Sequence, residues 1–325
     1  METKLNIFGI KILIESNEEI AQWLKNDYGT YITQNLDQIN LKFYLINQAS
    51  DYSTLPKLKA KTYHDNYIIY DSNDIRFIDF LGKALTIYNS KTKEIKSYCQ
   101  DINKLYQIFE LSFESLLGEE LDKIGFNRIH CLSLEKNNQA TLILLPPGGG
   151  KTTLALKFLN HSDIKILSQD IALYKKNKLY GLNFYWGVRV GESSLQGRLV
   201  INSNGVKKLL VNPKNFNLAK TALPKNLILG QKVSSNDSKI KKVNKLKLFW
   251  PLFKSTVLGL ELQQSLAYFL LRNYKDGFSK IKIGFSRLKT IISLIKKSST
   301  YCFEMGRDIQ KNYKTLDNFI NQSGL

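Results

Sequence analysis

The sequence predicts an α/β protein, a mixed sheet flanked by helices and preceded by a smaller β-rich α+β N-terminal domain. Three observations carry this. The apolar run Ala140-Thr141-Leu142-Ile143-Leu144-Leu145 leads into Pro146-Pro147-Gly148-Gly149-Gly150-Lys151-Thr152-Thr153, then into Leu154, Ala155, Leu156, Phe158 and Leu159. That order reads as strand, glycine loop and helix. The first 95 residues break into short β-branched or aromatic runs separated by turn residues. Between the two regions, apolar residues recur at helical spacing over 101–121, so the boundary falls near residue 122 and the domains are 1–122 and 123–325.

Taken in order, residues 5–14 alternate imperfectly around Gly9, and 41–45, 67–70, 75–80 and 84–88 are further short strands. Tyr70-Asp71-Ser72-Asn73-Asp74 reads as a turn between two of them. Residues 18–25 form a helix with Ile20, Ala21 and Leu24 on one face. The helix over 101–121 places Leu105, Ile108, Phe109, Phe113, Leu116 and Leu117 together, and Gly125 is its stop signal. A strand over 129–134, a turn at Lys136-Asn137-Asn138 and the strand into the glycine loop come next. The helix after the loop ends near Asn160-His161-Ser162. Residues 164–170 are a second short strand, followed by a hairpin of 172–174 and 179–182 and the aromatic stretch Asn183-Phe184-Tyr185-Trp186-Gly187-Val188-Arg189.

The chain of 325 residues has length for one large or two ordinary domains, and 43% hydrophobic with 11% aromatic content argues for a globular protein rather than a disordered one. Cys99, Cys131 and Cys302 are odd in number, far apart and without a CxxC spacing. They argue for neither a zinc site nor a disulfide framework, and a cytoplasmic, reducing location is expected. Met1-Glu2-Thr3-Lys4-Leu5 lacks a signal-peptide pattern. No apolar run reaches the roughly 18 residues of a membrane span; the nearest, 248–260, is broken by Pro251 and Lys254.

The net charge of +19 is uneven: residues 1–140 carry 16 basic and 19 acidic side chains, residues 141–325 carry 31 and 9. A Lys-, Asn-, Ile- and Tyr-rich composition is what an AT-rich genome gives, and an acidic partner is the functional alternative. Lys239, Lys241, Lys242, Lys245 and Lys247 cluster behind a polar stretch, as a polyanion site or as a solvated loop flank. Nucleic acid is disfavoured as partner because the charge alone speaks for it. A homo-oligomer stays open.

The glycine loop has specific chemistry. Consecutive glycines let backbone N–H groups line a concavity that holds phosphate oxygens, so Gly148, Gly149, Gly150, Lys151, Thr152 and Thr153 are the candidate ATP- or GTP-binding residues. Lys151 can reach the outer phosphates, and the Thr152 hydroxyl can ligate Mg²⁺. The helix beginning at Gly150 or Lys151 adds its partly positive end. Asp170 closes the next strand, where a carboxylate holds Mg²⁺ or accepts a proton, so Thr152 and Asp170 are the candidate metal ligands. His130 stands 21 residues before Lys151 in a strand and joins Lys151 and Asp170 as the candidate catalytic set.

Together these residues resemble the HPr kinase/phosphorylase family and its relatives, whose nucleotide-binding fold is shared with phosphoenolpyruvate carboxykinases. The family pattern is a His beginning one strand, a hairpin, a glycine loop with Gly-Lys-Ser/Thr, a helix and a strand ending in an Asp pair. Those positions fall on His130, Gly148 to Thr152 and Gln169-Asp170, and the resemblance covers residues 123–190. Tyr301-Cys302-Phe303-Glu304-Met305-Gly306-Arg307-Asp308 and the helix through Ile320 are similar to the closing strand and helix of the kinase-related members. Residues 1–122 and 191–300 match no motif.

The resemblance implies an ATP-dependent kinase using Mg²⁺ and acting on a serine of a protein or peptide, an acidic one if the charge recruits it, and permits a peptide natural-product precursor. Leu145 stands where the usual phosphate loop has its first glycine, and Gln169 stands where the family has the first Asp. The family's Asp at that place acts as general base, which an amide cannot do. A nucleotide-binding regulatory or scaffolding protein without phosphotransfer is therefore the alternative. A transport-type ATPase is a third reading, with Ser194-Leu195-Gln196-Gly197-Arg198 a poor match to the transporter signature.

Overall fold

The computed structural model describes residues 1–53, 55–146, 148–192, 194–201, 207–258 and 274–323; Pro147 of the glycine loop and residues 259–260 of the broken apolar run lie outside them. The protein is mixed α/β, and its chain divides into two units: Met1–Leu121 with Leu262–Ile281, and Asp122–Glu261 with Lys282–Leu325.

In the first unit, β1 (Glu2–Ile7), β2 (Ile10–Glu15), β3 (Leu41–Ile46), β4 (Thr62–His64), β5 (Tyr67–Ser72), β6 (Ile75–Asp79), β7 (Leu85–Asn89) and β8 (Glu94–Tyr98) form one sheet. Its order is β1-β2-β3-β8-β7-β6-β5-β4. Alternate residues of β2 and β3 are buried, as strands with one dry face require. On that face Phe43 meets Phe109 of helix α2 (Ile102–Lys123) edge to face, 5.3 Å between ring centroids. Helix α1 (Glu18–Asp27) is capped by Asn17, whose side chain accepts from the Ile20 N–H. The turn expected over 70–74 is shorter: β5 runs to Ser72, and Asn73 with φ 51° lets Asn73-Asp74 alone reverse the chain.

The second unit holds β9 (Asn127–His130), β10 (Leu132–Lys136), β11 (Gln139–Leu144), β12 (Lys165–Ser168), β13 (Ile171–Lys175) and β14 (Lys178–Leu182). Then follow β15 (Trp186–Arg189), β16 (Arg198–Ile201), β17 (Lys207–Val211), β18 (Thr221–Lys232), β19 (Lys239–Lys242) and β20 (Ser299–Met305). The main sheet runs β12-β10-β11-β18-β14-β13-β9, with β20 on β18 and β19 on β20. Strands β11, β18 and β20 are parallel, and β10 and β14 lie antiparallel to their neighbours. A small separate sheet, β15-β17-β16, takes two of its three strands from 191–300, the region without a recognisable motif.

The strand expected over 129–134 is two. β9 pairs with β13, β10 pairs with β11 and β12, and Cys131 interrupts them. The strand expected over 164–170 likewise stops at Ser168, and Gln169-Asp170 separate β12 from β13. The two breaks face each other, with the Cys131 N–H donating to the Asp170 carbonyl at 2.9 Å. A register shift between Ser133 and Leu134 bends the paired stretches here, as β-bulges do.

Strand β11 is buried on both faces, which is why it reads as an unbroken apolar run. Ile143 and Leu145 join a core with helix α3 (Lys151–Phe158) and the helix Ile309–Ser323. Ala140, Leu142 and Leu144 join the opposite core with helix α4 (Leu246–Leu252) and with Ile291 and Leu294. The lysine cluster is partly spent within the fold, since Lys239 and Lys241 on β19 both pair with Glu304. Among the described residues no helix is long and apolar enough to cross a membrane.

Candidate functional site

The glycine loop joins the end of β11 to the start of α3. Gly148 and Gly150 have φ of 69° and 98°, values that a side chain opposes. Gly149 turns so tightly that its N–H donates to the Pro146 carbonyl at 2.8 Å. That amide is spent inside the loop, so the concavity expected from successive N–H groups is narrower by one donor. The first-turn N–H groups of α3 have no acceptor within the helix and complete it.

Leu145 does not project into this loop. Its side chain is 3% exposed and packs in the core over Gly230 of β18, where an added Cβ would sit 2.3 Å from Leu145 Cδ2. Its carbonyl accepts from Lys151 Nζ at 3.2 Å. A core residue thus occupies the place of the usual first glycine, and a second glycine on the neighbouring strand makes the room.

The sheet then delivers the candidate catalytic residues to one point. His130 ends β9, Asp170 precedes β13, and their backbones are adjacent across the paired breaks. His130 Nε2 lies 2.7 Å from Asp170 Oδ1. Lys151 Nζ lies 2.8 Å from His130 Nε2, 3.2 Å from Nδ1 and 3.6 Å from Asp170 Oδ1. Nε2 faces both partners: protonated it donates to Asp170, and unprotonated it accepts from Lys151, so the tautomer decides which of the two bonds is made. Gln169 turns to Thr152 instead, with Nε2 donating to Oγ1 at 2.6 Å.

Burial sets the electrostatics. It lowers the pKa of Lys151, against the opposing pull of Asp170. For Asp170 burial raises the pKa, but the hydrogen bond from His130 and the charge of Lys151 outweigh it and the net shift is downward. Asp170 remains 47% exposed, at the mouth of the site. Burial pushes the neighbouring Cys131 thiol up to about 12, which keeps it protonated and unreactive.

These groups line a cleft of about 760 Å³ that contains His130, Gly148, Gly149, Gly150, Lys151, Thr152, Thr153 and Asp170, every candidate site residue. Its other walls escaped sequence reasoning: Glu192 and Lys208 from the small sheet and its loop, Lys232 at the end of β18, and Asn312. Arg189 and Arg307 lay in stretches already singled out, but without a role. Lys232 Nζ donates to the Gly148 carbonyl at 3.2 Å. Arg189 and Lys208 are direct cross-strand partners, a like-charge pair that costs stability unless an anion lies between them. Five Lys and Arg side chains against Asp170 and Glu192 give the cleft an excess of positive charge, which favours an anion over a cation.

Thr152 and Asp170 both border the cleft and offer hard oxygen donors. Among the described residues no group of three His, Cys, Asp or Glu could hold a metal ion. A magnesium ion there would share its coordination with phosphate oxygens and water, as that ion commonly does, so the donor set fits it. The sequence matches no protein-family model and no curated protein.

Proposed function

We propose that this protein is an ATP-dependent kinase of the HPr-kinase-like type, transferring a phosphoryl group to a serine of a protein or peptide. The nucleotide unit would then have the P-loop fold shared with phosphoenolpyruvate carboxykinases. One observation carries the reading: Lys151 closes a glycine loop and converges with His130 and Asp170 inside a cationic cleft.

The residues divide the work as phosphoryl transfer demands, by positioning and charge stabilisation rather than covalent chemistry. The loop and the start of α3 hold the phosphates. Lys151 exchanges its contacts with His130 and the Leu145 carbonyl for phosphate oxygens, and their charge relieves the cost of burying its ammonium. Thr152 and Asp170 would hold Mg²⁺, which supplies charge neutralisation on the phosphates. His130 orients the Asp170 carboxylate through Nε2–H. Asp170 has a lowered pKa, which suits a metal ligand better than a proton acceptor.

Gln169 favours the second reading, a nucleotide-binding module without transfer, because it brings an amide where the related kinases use a carboxylate. The test is calorimetry with Mg²⁺ and ATP or GTP, followed by mass spectrometry for phosphoserine on candidate peptides. Nucleotide binding with serine phosphorylation is expected. Binding without transfer selects the second reading, and absence of binding overturns both.

A further inference from the structure

We infer that the cleft beside the glycine loop contains a subsite for the base of the nucleotide, in which Asn312 accepts a hydrogen bond from the exocyclic amino group of an adenine. This rests on the nucleotide reading above. Its starting point is an orphaned acceptor. Asn312 lines the cleft and is 3% exposed, and its Oδ1 has no hydrogen-bond partner among the described residues. The orientation of the amide is fixed, because Nδ2 donates to the Gly306 carbonyl at 2.9 Å. Turned over, the amide would set two oxygens against each other. The unsatisfied atom is therefore an acceptor, and burying it unpaired is unfavourable.

The surroundings say what kind of donor fits. Val233, Met305 and Ile309 border the same cleft and give it aliphatic walls. Met305 is 2% exposed, and a Cβ built on Gly150 would lie 4.0 Å from its terminal methyl, so these walls adjoin the phosphate end. Lys232, next in sequence to Val233, is tied to the Gly148 carbonyl. Gly306 approaches the backbone of Asn236 and Asp237 so closely that an added Cβ would lie 2.7 Å from it, which fixes the carbonyl that holds Asn312. The backbone N–H of Asn312 is bonded to the Asp308 carbonyl, and the Asp308 side chain accepts from the N–H groups of Gln310 and Lys311, so the first turn of this helix is held as well.

A flat heteroaromatic ring with one amino group matches aliphatic walls and a single fixed acceptor. Adenine offers that amine. Guanine has a carbonyl oxygen at the equivalent ring position, which would face Oδ1 and repel it. The hydroxyl of an acceptor serine is the other donor that could reach the atom, and the test separates the two.

The experiment is calorimetry on the full chain with Mg²⁺ and three probes: ATP, purine riboside triphosphate, which lacks only the amino group, and inorganic tripolyphosphate. Wild type is expected to bind ATP about tenfold more tightly than purine riboside triphosphate, the worth of one buried hydrogen bond. The gap should close in Asn312→Leu, and tripolyphosphate should bind both proteins alike. If that variant does not fold, as thermal unfolding would reveal, the wild-type comparison decides alone. Equal binding of ATP and purine riboside triphosphate overturns the inference and gives Asn312 to water or to the acceptor. Tripolyphosphate binding as tightly as ATP removes the base subsite but leaves the phosphate site standing. If none of the three binds, the nucleotide reading itself fails.

Discussion

Replacing Lys151 by Met separates binding from folding more cleanly than any other change. The substitution keeps most of the side-chain volume and removes the ammonium. In the free protein Lys151 Nζ meets His130, the Leu145 carbonyl at 3.2 Å and Asp170 at 3.6 Å. Loss of those contacts strands the Leu145 carbonyl, at a cost of about 1–3 kcal/mol. Against this stands the burial that lowers the Lys151 pKa. A Lys whose folded pKa lies below its ordinary 10.5 costs stability wherever it is charged, and the cost fades as pH rises from the lowered value toward the ordinary one. The two effects oppose each other, so net stability at neutral pH should change by no more than about 1–2 kcal/mol. Binding has no such offset. A charge-assisted contact to phosphate is worth about 1.5–3 kcal/mol, so ATP affinity should fall about 10- to 150-fold. Calorimetry with Mg²⁺ and thermal unfolding on the same preparations measure the two quantities. Equal ATP affinity in parent and variant would refute the reasoning; a collapse of the fold would show Lys151 to be a structural residue.

Gln169→Asp should raise single-turnover transfer to an identified acceptor by about 10²–10⁴-fold if the site lacks only its base; an unchanged or lower rate rules that out, since a second carboxylate beside Asp170 would then only add repulsion. Asp170 has its pKa lowered, so its contribution to stability is present above the ordinary value of 3.8 and is lost as pH falls from there through the lowered folded value. Urea unfolding of wild type and Asp170→Asn should show a gap that shrinks as pH falls below 3.8; a gap that widens there would reverse the sign. Gly230→Ala should destabilise the fold by about 1–3 kcal/mol, because the new methyl meets Leu145, and adding Leu145→Ala should recover part of that loss in a double-mutant cycle. Strict additivity of the two changes would mean that the side chains do not meet.

The strand, glycine loop and helix were legible because their signals are local: an apolar run, consecutive glycines, a Lys-Thr pair and helical spacing within twenty residues. Asp170 was legible as a carboxylate expected to close a strand, and His130 through the family resemblance, since its local sequence placed it within a strand rather than at the break where it stands. The reason for Leu145 was not, because the space that admits it belongs to Gly230, on a strand whose pairing no local pattern reveals. Asn312, Lys208 and Lys232 escaped for the same reason, each being an ordinary polar residue until the sheet and the last helix bring it to the cleft. The division of 129–134 into two strands was invisible because alternation tells which face a side chain takes and not which neighbour its backbone joins.

That division has a consequence for how this chain can vary. The sheet path begins with β12-β10 and ends with β13-β9, two halves of the same pair of chain stretches, and His130 and Asp170 stand where the halves meet. Their approach is a property of backbone register, not of side-chain choice. One residue inserted between Asn127 and His130 would turn the imidazole to the other side of the sheet, away from Lys151, however well the core repacked. The same insertion at the Asn137-Asn138 reversal would lengthen a surface turn and leave the meeting point untouched. Length changes should therefore be tolerated at the tips of this unit and forbidden along its paired stretches, so that the spacing from His130 back to Asn127 is a stricter signature of the site than the composition of its glycine loop.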